Sequence, residues 1–248
     1  MSIPHEQTRP SKAAAMAAAA AQGNRRIGPN AVTQLIVALQ NGGEGAESRR
    51  IFSQAGSAQW LDSPPTEMVD ETRVAKLHAT VRELLPEVRA NAILREAGRT
   101  TAEYILANRI PRLAQGFLKI LPAPLAARAL TRAIGAHAWT FAGTGRFRGA
   151  IGREAIFEIW DNPLCRERDL TPGLCVWHTA VFERLFCELV SAHTLAEETQ
   201  CLAQGAPCCR FILTWRPCRS GSRATNVVAA IASGAPHAPN SSIDHGRK

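Results

Sequence analysis

From Asn30 onward the apolar residues recur at helical spacing: Val32, Leu35, Ile36 and Leu39 fall on one face, and Gly42 and Gly43 end the run. Asn30 suits the N-cap, so the segment reads as an amphipathic helix. A second helical stretch runs from about Thr66 through Val74, Leu77, Val81, Leu84 and Leu85, and Pro86 should break or bend it before the pattern resumes at Val88. Thr100 and Glu103 form a capping-box pair, which predicts a further helix from Thr101 carrying Tyr104, Ile105, Leu106, Ile110, Leu113, Phe117 and Leu121, kinked at Pro111 if it continues. A last helix of this half spans Pro124 to about Ile134.

Beyond Ala138 the composition turns to aromatic and β-branched residues. AWTFAG and EAIFEIW, separated by GTGRFRGAIG, predict two antiparallel strands. Helical spacing returns in LCVWHTAVFERLFCELV, where Leu174, Trp177, Val181, Phe182, Leu185, Phe186 and Leu189 share one side and Cys175 enters the first turn. LAEETQCLA and CCRFILTW then predict a second hairpin, with Cys209, Phe211, Leu213 and Trp215 on one face by period two. The fold class is α/β of the α+β type, a helical N-terminal half followed by an antiparallel sheet packed against helices.

Composition adjusts this outline at its ends. Residues 1–27 carry alanine, glutamine and charge without a durable apolar period, and residues 217–248 are rich in Ser, Gly, Pro, Asn and Arg, so both read as disordered extensions. Between them we expect a helical region over 28–94 that packs on or dimerises the core, and a main domain over 95–216. A hydrophobic fraction of 46% is ample for a core, and no apolar run reaches the roughly eighteen residues of a membrane span. The formal charge of +8 is scattered along the chain, so it does not by itself indicate a nucleic-acid partner. The expected localisation is cytoplasmic, at most peripheral to a membrane.

The chemistry concentrates in the cysteines. There are seven, clustered from Cys165 to Cys218, an arrangement that suits reduced thiols better than a disulfide framework. Cys175, Glu198, Cys201 and Cys209 form a spaced set of soft ligands around a turn built on Gly205 and Pro207. Glu198 and Cys201 lie on opposite faces of an ideal strand, so joint ligation demands a bulge, a bend or a strand end between them. On residues alone, a zinc site and free buried cysteines both remain open readings.

The motif E-x2-C-x7-C, with G-x3-C-x-F inside it, resembles the 4-vinyl reductase domain family over residues 95–216. GPNAVTQL, TAEYILANRIPRLAQ and IGAHAWTF extend the likeness to the bacteriochlorophyll 4-vinyl reductases of photosynthetic bacteria and carry it back to Gly28. The resemblance implies a ligand-binding fold of the kind found in nitric-oxide-signalling and Golgi-transport domains. It implies a structural zinc on Cys175, Glu198, Cys201 and Cys209, with Cys208 a bystander. It also implies a role in bacteriochlorophyll biosynthesis: binding a divinyl (proto)chlorophyllide-like tetrapyrrole whose vinyl group is reduced, with other enzymes of the pathway as partners, a homodimeric state, and a place in the cytoplasm or peripheral to the photosynthetic membrane.

For such a pigment His137, Trp139, Arg146, Trp177 and His178 are the candidate contacts: an imidazole for the central magnesium, aromatic walls, and a guanidinium for a propionate. Arg148, Arg153 and His193 are weaker candidates, and Trp160 and Trp215 read as core. A closed four-ligand zinc has no open position for catalysis, and the sequence shows no nicotinamide, flavin or iron-sulfur motif. Two readings follow: a vinyl reductase drawing on NADPH, or a non-catalytic carrier or assembly factor that delivers the tetrapyrrole to another enzyme.

Overall fold

The structure is a computed structural model that describes residues 25–42, 45–165 and 175–215. All of these belong to the first, Met1–Arg216, of the two units into which the chain divides. The expectations for residues 1–24 and 217–248 lie outside the described residues.

A two-residue strand β1 (Arg26–Ile27) opens the described chain and pairs with β2 (Val69–Asp70), so pairing already begins before Gly28. Helix α1 (Asn30–Asn41) buries Val32, Leu35, Ile36 and Leu39 as the apolar spacing predicts. Its N-cap position is Pro29; Asn30 is already helical and its side chain makes no cap. Helices α2 (Gly45–Gln54) and α3 (Gln59–Asp62) fill a stretch the sequence reading left unassigned, anchored by Ile51, Phe52 and Trp60.

Helix α4 (Glu71–Leu84) begins later than Thr66 because Asp70 caps it, its carboxylate accepting from the N–H groups of Thr72 (2.9 Å) and Arg73 (3.0 Å). Pro86 ends that run, and α5 (Glu87–Asn108) starts directly after it. One correction concerns Thr101. No helix starts there: α5 passes straight through, because Ile93, Leu94, Ala97, Thr101, Ala102 and Leu106 form one continuous buried face. Thr100 bonds back to the Glu96 carbonyl (3.0 Å), and Glu103 pairs with Arg99 and Arg184 instead of capping. Pro111 separates α5 from α6 (Arg112–Ile120), and α7 (Ala123–Ala136) follows.

A second correction concerns AWTFAG. It forms a helical turn, α8 (Trp139–Ala142), and the strand lies in the segment predicted as the connection: β3 (Arg146–Ile151) pairs with β4 (Ala155–Trp160). The aromatic and β-branched residues of AWTFAG serve packing here, not a ladder. Phe141 packs edge-on against Phe147 and Phe182 with centroids at 5.4 and 5.6 Å, and the Thr140 carbonyl accepts from Gly28 N–H (2.7 Å).

After a 3₁₀ turn (Pro163–Cys165), α9 (Val176–Leu189) leads into β5 (Leu195–Gln200) and β6 (Cys209–Thr214). The sheet is antiparallel in the order β3-β4-β6-β5. Helix α9 packs against both α5 and β5 and is buried on most of its surface. Gly98 allows the close approach of α5 and α9: a Cβ there would strike the Trp177 carbonyl and stand 2.8 Å from the Ala180 methyl.

The N-terminal strand is tied to the sheet domain through a fully buried carboxylate. Glu71 takes hydrogen bonds from the Thr144 N–H (2.8 Å), the Thr144 hydroxyl (2.7 Å) and Arg25 (3.2 Å). Gly143, at φ 55°, makes the turn beneath it, where any Cβ would collide with that carboxylate.

Candidate functional site

Four backbone events bring four sulfurs together. Cys165 closes the 3₁₀ turn after β4, Cys175 occupies the N-cap of α9, Cys201 leaves β5, and Cys209 opens β6. Their Sγ atoms all lie within 4.8 Å of one another, with Cys165–Cys175 at 3.0 Å and Cys175–Cys209 at 3.3 Å, and all four residues are buried free thiols. The register shift between Glu198 and Gln200 in β5 supplies the irregularity that the Glu198–Cys201 spacing demanded.

Cys165 is the member that sequence reading did not place, and Glu198 stands against the same cluster. One Glu198 oxygen accepts from the backbone N–H of Cys175; the other is buried without a hydrogen-bond partner. Asn162, fully buried, directs its amide N–H group at the sulfurs of Cys175 and Cys209 (3.5 Å each), while its carbonyl holds the Leu164 N–H (3.1 Å). The Leu202 N–H also points at Cys209 Sγ (3.5 Å).

The cluster gathers negative charge in a dry place. Hydrogen bonding from Cys165, Cys175 and Cys201 holds the Cys209 thiol far below the ordinary range, and bonds from Cys165 and Cys175 bring Cys201 down to about 7. Cys175, hydrogen-bonded to Cys165 and Cys201, is pushed well up. Burial, and then the charge on Cys201, lifts the Glu198 carboxyl to about 8. Four sulfurs sharing few protons, with N–H donors behind them and an unsatisfied carboxylate oxygen alongside, suit a divalent cation. Zinc–sulfur bonds of about 2.3 Å in a tetrahedron set the sulfurs about 3.8 Å apart, a spacing the observed cluster matches with small adjustment.

The candidate pigment contacts are dispersed. His137 is exposed at the end of α7, its Nδ1 against the Ala133 carbonyl (2.9 Å); Trp139 is exposed on α8; and Arg146 sits 5.9 Å above the Trp160 ring. Trp177 and His178 are sealed in the core. His178 Nε2 meets the Phe141 carbonyl (3.3 Å) among Phe141, Phe182 and Phe211, and burial lowers its pKa to about 4. Arg148, Arg153 and His193 lie on the surface.

A concave surface sits between α7 and β3, about 560 Å³ in volume and lined by Arg128, Thr131, Arg132, Phe147 and Ile151, with Gly135 and Gly149 at its floor. Arg128 and Arg132 were not singled out from sequence. Their signal was the spacing of four on the helix predicted from Pro124 to Ile134, which sets two guanidinium groups side by side.

A curated relative from Cereibacter sphaeroides, named bacteriochlorophyll synthase 23 kDa chain, is 50% identical over 189 residues, covering 76% of this chain and 90% of its own length. This chain belongs to the family of the bacteriochlorophyll synthase 23 kDa chains. Another 23 kDa chain, from Rhodobacter capsulatus, is 41% identical over 188 residues, 76% of this chain and 86% of that one. Within this member of the 23 kDa family, the family model of the 4-vinyl reductase domain matches residues 155–214, the segment from β4 to β6 that carries all four clustered cysteines.

Two solved structures are more distantly similar. A trafficking protein particle complex subunit 3 from Naegleria fowleri, covalently bound to palmitic acid, is 12% identical at a TM-score of 0.42, covering 59% of this chain and 95% of that one. The phenol-responsive sensory domain of the transcription activator PoxR with phenol is 14% identical at 0.45, covering 68% and 90%.

Proposed function

We propose that this protein serves bacteriochlorophyll biosynthesis by binding a divinyl (proto)chlorophyllide-like tetrapyrrole on the α7–β3 concave surface and offering its vinyl group for reduction. The 50% identity to a bacteriochlorophyll synthase 23 kDa chain, across 90% of that relative, carries the pathway role. The ligand class rests on the chemistry of the surface: Phe147 and Ile151 give apolar contact for a flat ring, and the paired guanidinium groups of Arg128 and Arg132 match a propionate carboxylate. His137 and Arg146, on the neighbouring ends of α7 and β3, are the earlier candidates nearest in sequence to this surface. Trp177 and His178, being core residues, hold α9 in place instead.

The sulfur cluster belongs to the same reading as a structural zinc site. Cys165, Cys175, Cys201 and Cys209 would hold the ion, and Glu198 would fix the Cys175 backbone or replace one sulfur. A cation bound there ties the 3₁₀ turn, the start of α9 and the β5–β6 hairpin into one block.

The test is a titration of the purified protein with divinyl and monovinyl protochlorophyllide, followed by absorbance with and without NADPH. Binding lost in Arg128→Glu/Arg132→Glu supports the site. Conversion of divinyl to monovinyl pigment identifies a reductase, whereas tight binding without conversion identifies a carrier that hands the pigment to a partner enzyme. No binding of either pigment overturns the ligand assignment.

A further inference from the structure

Helix α6 is built inside out. Its exposed side chains include Leu113 (90% exposed), Phe117 (59%) and Ile120 (79%), which share one face at spacings of four and three. No residue of α6 is buried. Gln115 and Leu118 point the other way. The Gln115 side-chain amide N–H group donates to the carbonyls of Leu106 (2.6 Å) and Ile110 (2.8 Å), Leu118 packs on the core, and Lys119 pairs with Glu188 of α9. The helix is thus fixed to the protein largely through polar side chains and turns its apolar stripe outward. A Cβ added at Gly116, on that stripe, would meet nothing within 4 Å. The face continues onto α7 through Leu125, which is 47% exposed and shares its helical side with Arg128 and Arg132.

The charge around this face has one sign. Between Glu103 and Glu154 the sequence contains no Asp or Glu, yet it holds Arg109, Arg112, Lys119, Arg128, Arg132, Arg146, Arg148 and Arg153. Arg109 and Arg112 are exposed at the N-terminal end of α6, and Arg128 and Arg132 are exposed on α7. Packing this face against a second copy of the chain would set like charges against each other; an anionic surface would neutralise them.

We propose that the outward face of α6 and the adjoining side of α7 form a membrane-contact surface for anionic phospholipid. Leu113, Phe117, Ile120 and Leu125 enter the boundary between headgroups and acyl chains, and Arg109, Arg112, Arg128 and Arg132 engage the phosphates. The helix lies in the interface plane and does not span it; no helix among the described residues is long and apolar enough to cross a bilayer. The surface borders the α7–β3 concavity through Arg128 and Arg132, but the lipid assignment does not depend on pigment binding.

The experiment is co-sedimentation of the full chain, free of pigment, with vesicles of equal parts phosphatidylcholine and phosphatidylglycerol and with phosphatidylcholine alone. The protein binds the anionic vesicles, and raising the salt weakens binding. Leu113→Ser/Phe117→Ser/Ile120→Ser lowers the affinity by about tenfold or more while the circular dichroism spectrum is unchanged. Arg109→Gln/Arg112→Gln, with the apolar stripe intact, loses the preference for phosphatidylglycerol. Absence of binding, or equal binding by wild type and the apolar variant, overturns the proposal. So does a dimer in sedimentation velocity that the apolar variant dissociates, which would make a second copy the occupant of this face.

Discussion

The sulfur cluster and the α6 face depart from ordinary burial in opposite senses. Around Cys209 the protein buries anionic sulfur and a carboxyl group, which burial alone would neutralise or expel. On α6 it leaves Leu113 and Ile120 almost wholly in water. The first arrangement is stable only if something compensates the charge from within, so its consequences fall on folding. The second leaves the fold untouched and awaits something from outside, so its consequences fall on association. Stability measurements should therefore separate the two regions cleanly.

The largest effect is expected at the cluster. The purified protein should carry one zinc per chain by elemental analysis. Stripping it with a chelator, or replacing Cys209 by Ala, should lower the melting temperature by more than about 10 °C. Cys165→Ala and Glu198→Gln then sharpen the assignment of the fourth ligand. If Cys165 is the ligand, its loss should release the metal while Glu198→Gln retains it; the reverse result would restore the Glu198 set inferred from sequence.

The next effect is a pH dependence seated away from the sulfurs. His78, fully buried, joins α4 to α1 through the Ala31 carbonyl (2.9 Å) and meets the Trp177 ring edge-on at 6.0 Å; burial lowers its pKa from 6.5 to about 3. Between those values the unfolded chain takes up a proton at this site and the folded chain does not. Its contribution to stability is therefore complete above pH 6.5 and is lost as the pH falls toward 3. Urea midpoints measured from pH 7 to pH 4 should fall by several kcal/mol in free energy, and His78→Gln should flatten that slope by up to one proton. An unchanged slope would assign the acid sensitivity elsewhere.

A smaller effect tests the frame that positions both regions. Gly98→Ala places a methyl group against the Trp177 carbonyl and the Ala180 side chain, forcing α5 and α9 apart. Overpacking of this kind costs about 1–3 kcal/mol, offset by up to about 1 kcal/mol from the better helix propensity of alanine. A denaturation curve for Gly98→Ala with a raised midpoint would refute the close-approach account.

Periodicity made much of this legible in the sequence, and its failures have physical causes. The faces of α1, α4 and α9 followed from apolar spacing, as did the pairing of β5 with β6 and the inward face of Cys209. The bulge near Glu198 followed from a ligand spacing that an ideal strand cannot meet. AWTFAG misled because aromatic and β-branched residues mark packing sites in any backbone, and here the close approach of Gly28 to Thr140 fixes a helical turn. Cys165 escaped notice because the 3₁₀ turn that delivers it carries no periodic signal. The α6 stripe was read as one more core-facing helix. Period identifies a face but not its direction, which Gln115 and Lys119 set through partners distant in the chain.

That last point yields the smallest and most discriminating stability prediction. If Leu113, Phe117 and Ile120 contribute nothing to the folded core, then Leu113→Ser/Phe117→Ser/Ile120→Ser should change the unfolding free energy by no more than about 0.5 kcal/mol. Leu118→Ser, one residue from Phe117 but facing the core, should cost more than that whole triple substitution. Chemical denaturation of both variants in lipid-free buffer measures the contrast directly. A large loss in the triple variant would mean that the stripe is covered in solution, and at protein concentrations where the loss depends on dilution the cover would be another copy of the chain. An undiminished midpoint at every concentration leaves the stripe open to water in the isolated protein, as its exposure requires.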